Sequence, residues 1–186
     1  MQGIDDALRL RSGDTVLIFG ASGAVGTLAV QFAERRKTWV LAMASGRDAH
    51  RLVKRLGADA IFDARSRDAI DELRKLAPDG IDACLALAGS DALERCLDLV
   101  RAGGRVANPN GVEPEPRRRR KIRVMAYDGE AGPLKFAQLA RAVAETKLRV
   151  PIAAVYPLSQ AAKAHARLQK GHILGRIALK IHNGRS

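Results

Sequence analysis

Gly20, Gly23 and Gly26 recur at every third position in Phe19-Gly20-Ala21-Ser22-Gly23-Ala24-Val25-Gly26, directly after the apolar run Val16 to Phe19. Glycines at this spacing do chemistry through what they leave out. They permit a tight strand-to-helix reversal, let backbone amides approach a pyrophosphate, and bring helix and strand into close contact. The first turn of the helix that follows offers unpaired N–H groups and the positive end of its dipole to an anion. Val25, Leu28, Ala29 and Phe32 then recur at helical spacing, while Val16 to Phe19 reads as a buried parallel strand. Gly20, Ala21, Ser22, Gly23, Ala24, Val25 and Gly26 are therefore candidate dinucleotide-binding residues, the plainer alternative being a tight turn with no ligand.

Spacing also excludes neighbouring chemistries. Ala21 stands where the first glycine of Gly-x-Gly-x-x-Gly would fall. Gly26 is followed by Thr27 and Leu28 rather than the Lys-Ser/Thr that closes a Walker loop. A Tyr-x-x-x-Lys pair is also missing, because Tyr127 is followed at that offset by Ala131 and Tyr156 by Gln160.

The elements that would position the turn alternate along the chain. Trp39 to Met43, Ala60 to Phe62, Ile81 to Leu87, Gly104 to Ala107 and Ile122 to Tyr127 read as further strands. Asp48 to Leu56, Arg67 to Leu76, Asp91 to Val100 and Pro133 to Thr146 read as helices, the last with Phe136, Leu139, Ala140 and Val143 on one face. This pace predicts an α/β protein of Rossmann type, a doubly wound six-stranded parallel sheet. Beyond Lys147 the pattern changes to a β-α-β tail: Val150 to Tyr156, a helix from Ser159 to Gln169, and Gly175 to Ile181. The expected division is a lead-in helix in residues 1–13, a nucleotide-binding domain in 14–149 and a C-terminal segment in 150–186.

Composition bounds the rest. The chain has 186 residues, 47% hydrophobic but only 4% aromatic, which predicts an aliphatic core. Residues 1–13 lack the apolar stretch of a signal peptide and no run approaches a membrane span, so a soluble, cytoplasmic protein is expected. Cys84 and Cys96 have no ligand-spaced partner and read as buried small hydrophobes, and no metal site is legible. His50, His165, His172 and His182 stand in polar settings and are expected on the surface. The net charge of +12 concentrates in Arg117-Arg118-Arg119-Arg120-Lys121, without an interleaved aromatic to stack a base. A solvated loop or a contact to an anionic partner fits this stretch better than nucleic-acid binding. The alternative of a noncatalytic Rossmann-type protein using that basic loop on nucleic acid or another polyanion stays open.

As a set, the segments from Gly13 to Gly26, Leu56-Gly57-Ala58-Asp59, Gly103-Gly104-Arg105-Val106, Tyr156-Pro157-Leu158 and Gly175-Arg176-Ile177 resemble the coenzyme-binding domain of the medium-chain dehydrogenase/reductase family. The likeness is to its zinc-containing alcohol dehydrogenases and, more closely, to its zinc-independent quinone oxidoreductase branch. It implies a chain without its catalytic domain, whose tail would return to that domain. The chain alone is then expected to be inactive or weakly active, as the cofactor-binding part of an oxidoreductase that positions a nicotinamide for hydride transfer to a small carbonyl, enone or quinone. The resemblance also implies a homodimer through the edge of strand 122–127.

Cofactor choice turns on the residues past the second strand. No acid occupies positions 40–45, and Ser45, Arg47 and Arg51 follow, which favours NADP(H) over NAD(H). Asp48 would partly offset Arg47, and Ser45-Gly46-Arg47-Asp48 equally fits a helix capping box. Ala88 and Gly89 after the fourth strand, and Asn108, Pro109 and Asn110 after the fifth, fall at the carboxyl edge, where the resemblance places the nicotinamide and its ribose.

Overall fold

The computed structural model describes residues 1–181; His182 therefore lies outside the described residues. Six strands form one parallel sheet: β1 (Thr15–Phe19), β2 (Trp39–Met43), β3 (Ala60–Phe62), β4 (Ile81–Ala86), β5 (Val100–Pro109) and β6 (Arg123–Tyr127). Their order is β3-β2-β1-β4-β5-β6, so the chain reverses direction across the sheet between β1 and β4. Right-handed crossovers build such a sheet from α1 (Gly26–Arg35), α2 (Arg47–Arg55), α3 (Ala69–Leu76) and α4 (Asp91–Leu97).

Each central strand is buried on both faces, because alternate side chains feed two cores. Val16 and Ile18 of β1 pack with Val40, Ala42 and Leu85 under α1 and α2. Leu17 and Phe19 pack with Leu41, Met43 and Cys84 under α3 and α4. Cys84 and Cys96 both belong to this second core. Desolvation pushes the Cys96 thiol up to about 12 and the Cys84 thiol well above its usual range, so neither carries thiolate at neutral pH.

Several expected boundaries shift for identifiable reasons. The lead-in segment makes a single wide helical turn, Gly3–Ala7, rather than a longer α-helix; its Ile4 is buried. The fourth helix stops at Leu97, and Val100, expected in that helix, instead begins β5. There Ile81 pairs with Val100 while Ala83 pairs with Arg105, so the register shifts across the Gly103-Gly104 segment as a bulge.

α5 (Pro133–Thr146) is held to α1 at its end by a reciprocal pair: Gln31 Nε2 donates to the Arg149 carbonyl and the Arg149 amide donates to Gln31 Oε1, both at 2.8 Å. Its apolar face does not form a core. Leu134, Phe136, Leu139 and Val143 stay exposed, and of the helix only Ala142 is buried among the described side chains. β7 (Ile152–Pro157), a 3-10 turn, α6 (Ala161–Gln169) and β8 (Arg176–Lys180) complete the chain as a separate two-stranded parallel sheet. No helix among the described residues is long and apolar enough to cross a membrane.

Candidate functional site

β1 ends at Phe19 and α1 starts at Gly26, so the glycine turn lies at the carboxyl edge of the sheet where the strand order reverses. Open α/β sheets bind ligands at this switch point. The turn closes on itself through the Gly23 amide to the Gly20 carbonyl at 3.2 Å and the Thr27 amide to Gly23 at 3.0 Å, while the Ala21 amide reaches the Met43 carbonyl at 3.0 Å. Among the described residues, the amides of Ser22 and Val25 donate to no protein acceptor, whereas that of Ala24 is taken up by the bridge to Gly175 described below. They stand in front of the first turn of α1, where the helix dipole adds positive potential. Val25, expected on the buried face of the helix, is half exposed at its mouth because α1 opens one residue later.

Gly26 is where the missing side chain matters most: a Cβ there would overlap the Gly20 carbonyl oxygen and lie 2.7 Å from the Ala21 carbonyl carbon. The turn can be this tight only without a side chain at that position.

A cleft of about 380 Å³ opens beside the turn, lined by Gly20, Ser22, Ser45 and Ala88 and, on the far side, by His172, Ile173 and Leu174. The last three come from the tail. Gly175 forms a parallel bridge with Gly23, and its amide donates to the Ser22 carbonyl at 3.0 Å. Its φ of +86° and the carbonyl oxygen of Pro151, which an added Cβ would overlap, together require glycine. Sequence reasoning assigned no site role to residues 172–175, although Gly175-Arg176-Ile177 carried part of the resemblance.

Ser45 and Gly46 lie between β2 and α2, but the capping box does not form. Gly46 is the N-cap and no side chain caps the helix. The Ser45 side chain instead stands near Asp63 and helps lower its pKa, and Asp63 accepts from the Gly46 amide at 3.2 Å. Asp63 comes from the residue after β3 and takes a further set of bonds from Arg65, through its amide at 3.0 Å and through Nε and Nη2 at 3.3 Å. These hydrogen bonds, those of the Arg65 side chain foremost, hold the Asp63 carboxyl well below the usual carboxylate range. Arg47 is exposed, whereas Arg51 faces Asp48 at 3.6 Å on the solvent side of α2. Thus Asp48 offsets Arg51 rather than Arg47, and the guanidinium beside the turn is Arg65, which an acid-only search at the end of β2 misses.

The β4 loop is partly committed to packing. Ser90 caps α4 by accepting the Leu93 amide at 3.2 Å, and an added Cβ on Gly89 would overlap the Pro114 carbonyl oxygen, so Gly89 makes room for the 108–121 loop. Asn108 and Pro109 belong to β5 rather than to the loop after it, and Asn108 is 2% exposed, because β5 runs on beside β6 to Tyr127. Asn110 begins the loop, its amide on the Tyr127 carbonyl at 3.0 Å and its Nδ2 on Asp128 at 2.7 Å.

The basic run is not a uniformly solvated face. Arg119 folds back on Glu94 and Asp98 at 2.9 and 3.0 Å, anchoring the loop to α4, while Arg117, Arg118, Arg120 and Lys121 remain exposed. His50 is also tied down, its Nε2 at 2.8 Å from the Ala44 carbonyl, whereas His165 and His172 are exposed as expected.

The family profile described as zinc-binding dehydrogenase matches residues 56–179, more than half of the sequence. The chain belongs to the zinc-binding dehydrogenase family. The medium-chain dehydrogenase/reductase resemblance and the Rossmann-type sheet read from the sequence are both borne out. Quinone oxidoreductase of Sus scrofa is 33% identical over 168 residues, covering 84% of this chain and 51% of the relative. The quinone oxidoreductase of Coxiella burnetii superposes at a TM-score of 0.78 with 25% identity, over 96% of this chain and 56% of that one. CurA of Vibrio vulnificus, solved in complex with NADPH, gives a TM-score of 0.82 at 21% identity over 98% and 61%, a likeness of fold. This zinc-binding dehydrogenase chain thus spans about half the length of the curated relatives it matches. Among its described residues no group of three or more His, Cys, Asp or Glu side chains could hold a metal ion, so a donor set for zinc is not found there.

Proposed function

We propose that this chain is the NADP(H)-binding part of an oxidoreductase, orienting the nicotinamide for hydride transfer to a small carbonyl, enone or quinone. The observation that carries the reading is the pair of amides, Ser22 and Val25, left without a protein acceptor among the described residues in front of α1 at the switch point of the sheet. They would hold the pyrophosphate. Ser45, Arg47 and Arg65 would face the adenosine ribose and its 2′-phosphate, and Arg51 would add longer-range positive charge. Ala88, Gly89, Asn108, Pro109 and Asn110 would flank the nicotinamide end. The cofactor supplies the hydride chemistry, and these residues supply orientation and electrostatics. The relatives named quinone oxidoreductase and the NADPH complex of CurA support the same choice. On this reading residues 14–149 are the cofactor domain, residues 150–186 would return to the catalytic domain, and the protein works in the cytoplasm.

Titrating the purified chain with NADPH and NADH, followed by nucleotide fluorescence, tests this. Saturable NADPH binding tighter than NADH binding is expected. Binding of neither overturns the reading, and tighter NADH binding overturns the cofactor choice.

We also propose that two copies pair through β6, whose outer edge has no neighbouring strand among the described residues. Val124 packs on the core beneath α3 and α4, whereas Ala126 is exposed on the same strand. Ala126→Lys therefore adds charge to the edge without emptying the core. Light scattering should show a dimer that this variant converts to monomer. A wild-type monomer contradicts it.

A further inference from the structure

The turn between β2 and α2 holds a carboxylate after all, delivered by the wrong strand. β3 pairs with β2 through Phe62 and Met43, which sets the next residue, Asp63, beside Ser45 and Gly46. Its two oxygens collect the Gly46 amide and the Arg65 backbone and side chain, and the Ser45 side chain lies nearby. Arg65 is bound side-on, through Nε and Nη2, so the Nη1 donors and the second Nη2 proton remain free. The guanidinium lies directly over the turn, Nη2 being 3.6 Å from the point a Gly46 Cβ would occupy. It remains 61% exposed.

Two opposed recognition elements for one ribose therefore sit within a single clamp. A carboxylate at this turn accepts hydrogen bonds from ribose hydroxyls and repels a 2′-phosphate, while a guanidinium attracts the phosphate. Because the Arg65 side chain is exposed while bound side-on to Asp63, it can turn its free donors to a phosphate without losing its hold on Asp63. The carboxylate charge nevertheless stays within a few ångströms of the incoming phosphate.

Resting on the proposed NADP(H) site, we propose that Asp63 is the residue that limits discrimination between NADPH and NADH: it positions Arg65 for the 2′-phosphate but offsets its charge, leaving the site able to take both cofactors. The test is the ratio of NADPH to NADH affinity in the whole chain, measured for wild type, Asp63→Asn and Arg65→Gln. Asparagine keeps an acceptor for the Gly46 amide and removes the charge. Asp63→Asn should tighten NADPH by roughly fivefold while NADH stays level or weakens, and Arg65→Gln should weaken NADPH by roughly tenfold and spare NADH. A ratio that is unchanged or falls in Asp63→Asn overturns the inference, including the case where both affinities drop together, which is the mark of a purely structural role. A wild-type chain that binds neither nucleotide overturns the site itself and this inference with it. Thermal unfolding of each variant shows that the ratio is read on folded protein.

Discussion

Gly26→Ala should abolish measurable dinucleotide binding and lower the unfolding midpoint. The added methyl has no free volume: it would overlap the Gly20 carbonyl oxygen and sit 2.7 Å from both the Cα and the carbonyl carbon of Ala21, all of it backbone. Relief requires the turn to open, and opening it displaces the Ser22 and Val25 amides that have no protein acceptor. Overpacking of this kind costs about 1–3 kcal/mol of stability. The effect on binding should exceed the effect on folding, because the sheet survives a shifted turn and a pyrophosphate cradle does not. Gly132→Ala is the control, since nothing lies within 4 Å of a Cβ there. Nucleotide titration and thermal unfolding of both variants check this, and a Gly26→Ala chain that binds like wild type contradicts it.

Gly175→Val should leave the six-stranded sheet folded and release the tail from it. The φ of +86° disfavours any side chain by about 1–3 kcal/mol, and the overlap with Pro151 adds to that. The link at stake is specific: the Gly175 amide on the Ser22 carbonyl couples β8 to the glycine turn, and residues 172–174 form one wall of the cleft. Nucleotide affinity should fall by about an order of magnitude, as expected when about 1.4 kcal/mol of site preorganisation is lost. Far-UV circular dichroism should change little, and limited proteolysis should cut between Lys147 and Gly175 sooner than in wild type. Loss of the whole fold, or undiminished binding, contradicts the assigned role.

What was legible in the sequence follows from the range of the interactions involved. β2 and β3 match their expected ends because each is a short apolar run closed by its own turn residues. The glycine turn was legible because the bonds that close it, Gly23 to Gly20 and Thr27 to Gly23, lie within a few residues. β5 was read too short, from Gly104 to Ala107, because Val100 continues the helical pattern of α4 and only pairing with β4 and β6 extends the strand to Val100–Pro109. Ser45 was read as a possible cap because nothing local announces Asp63, which is close in space only once β3 has paired with β2. The same holds for the Gly23–Gly175 bridge. The amphipathic face of α5 was correctly periodic, yet Phe136 and Leu139 line an apolar groove against Val25 and Leu28 of the α1 region rather than a closed core, and periodicity does not say what covers a face.

The central claim is that a dinucleotide lies across the carboxyl edge of the sheet, cradled by the glycine turn and walled by the tail. Amide chemical-shift mapping of the nitrogen-15-labelled chain during NADPH titration tests it most directly. The largest shifts should fall on Ser22 and Val25, with further shifts at Ser45 and Gly46, at Ala88, and at His172 to Gly175. Shifts confined to the exposed residues of the Arg117 to Lys121 loop, or none at saturating NADPH, would contradict the account.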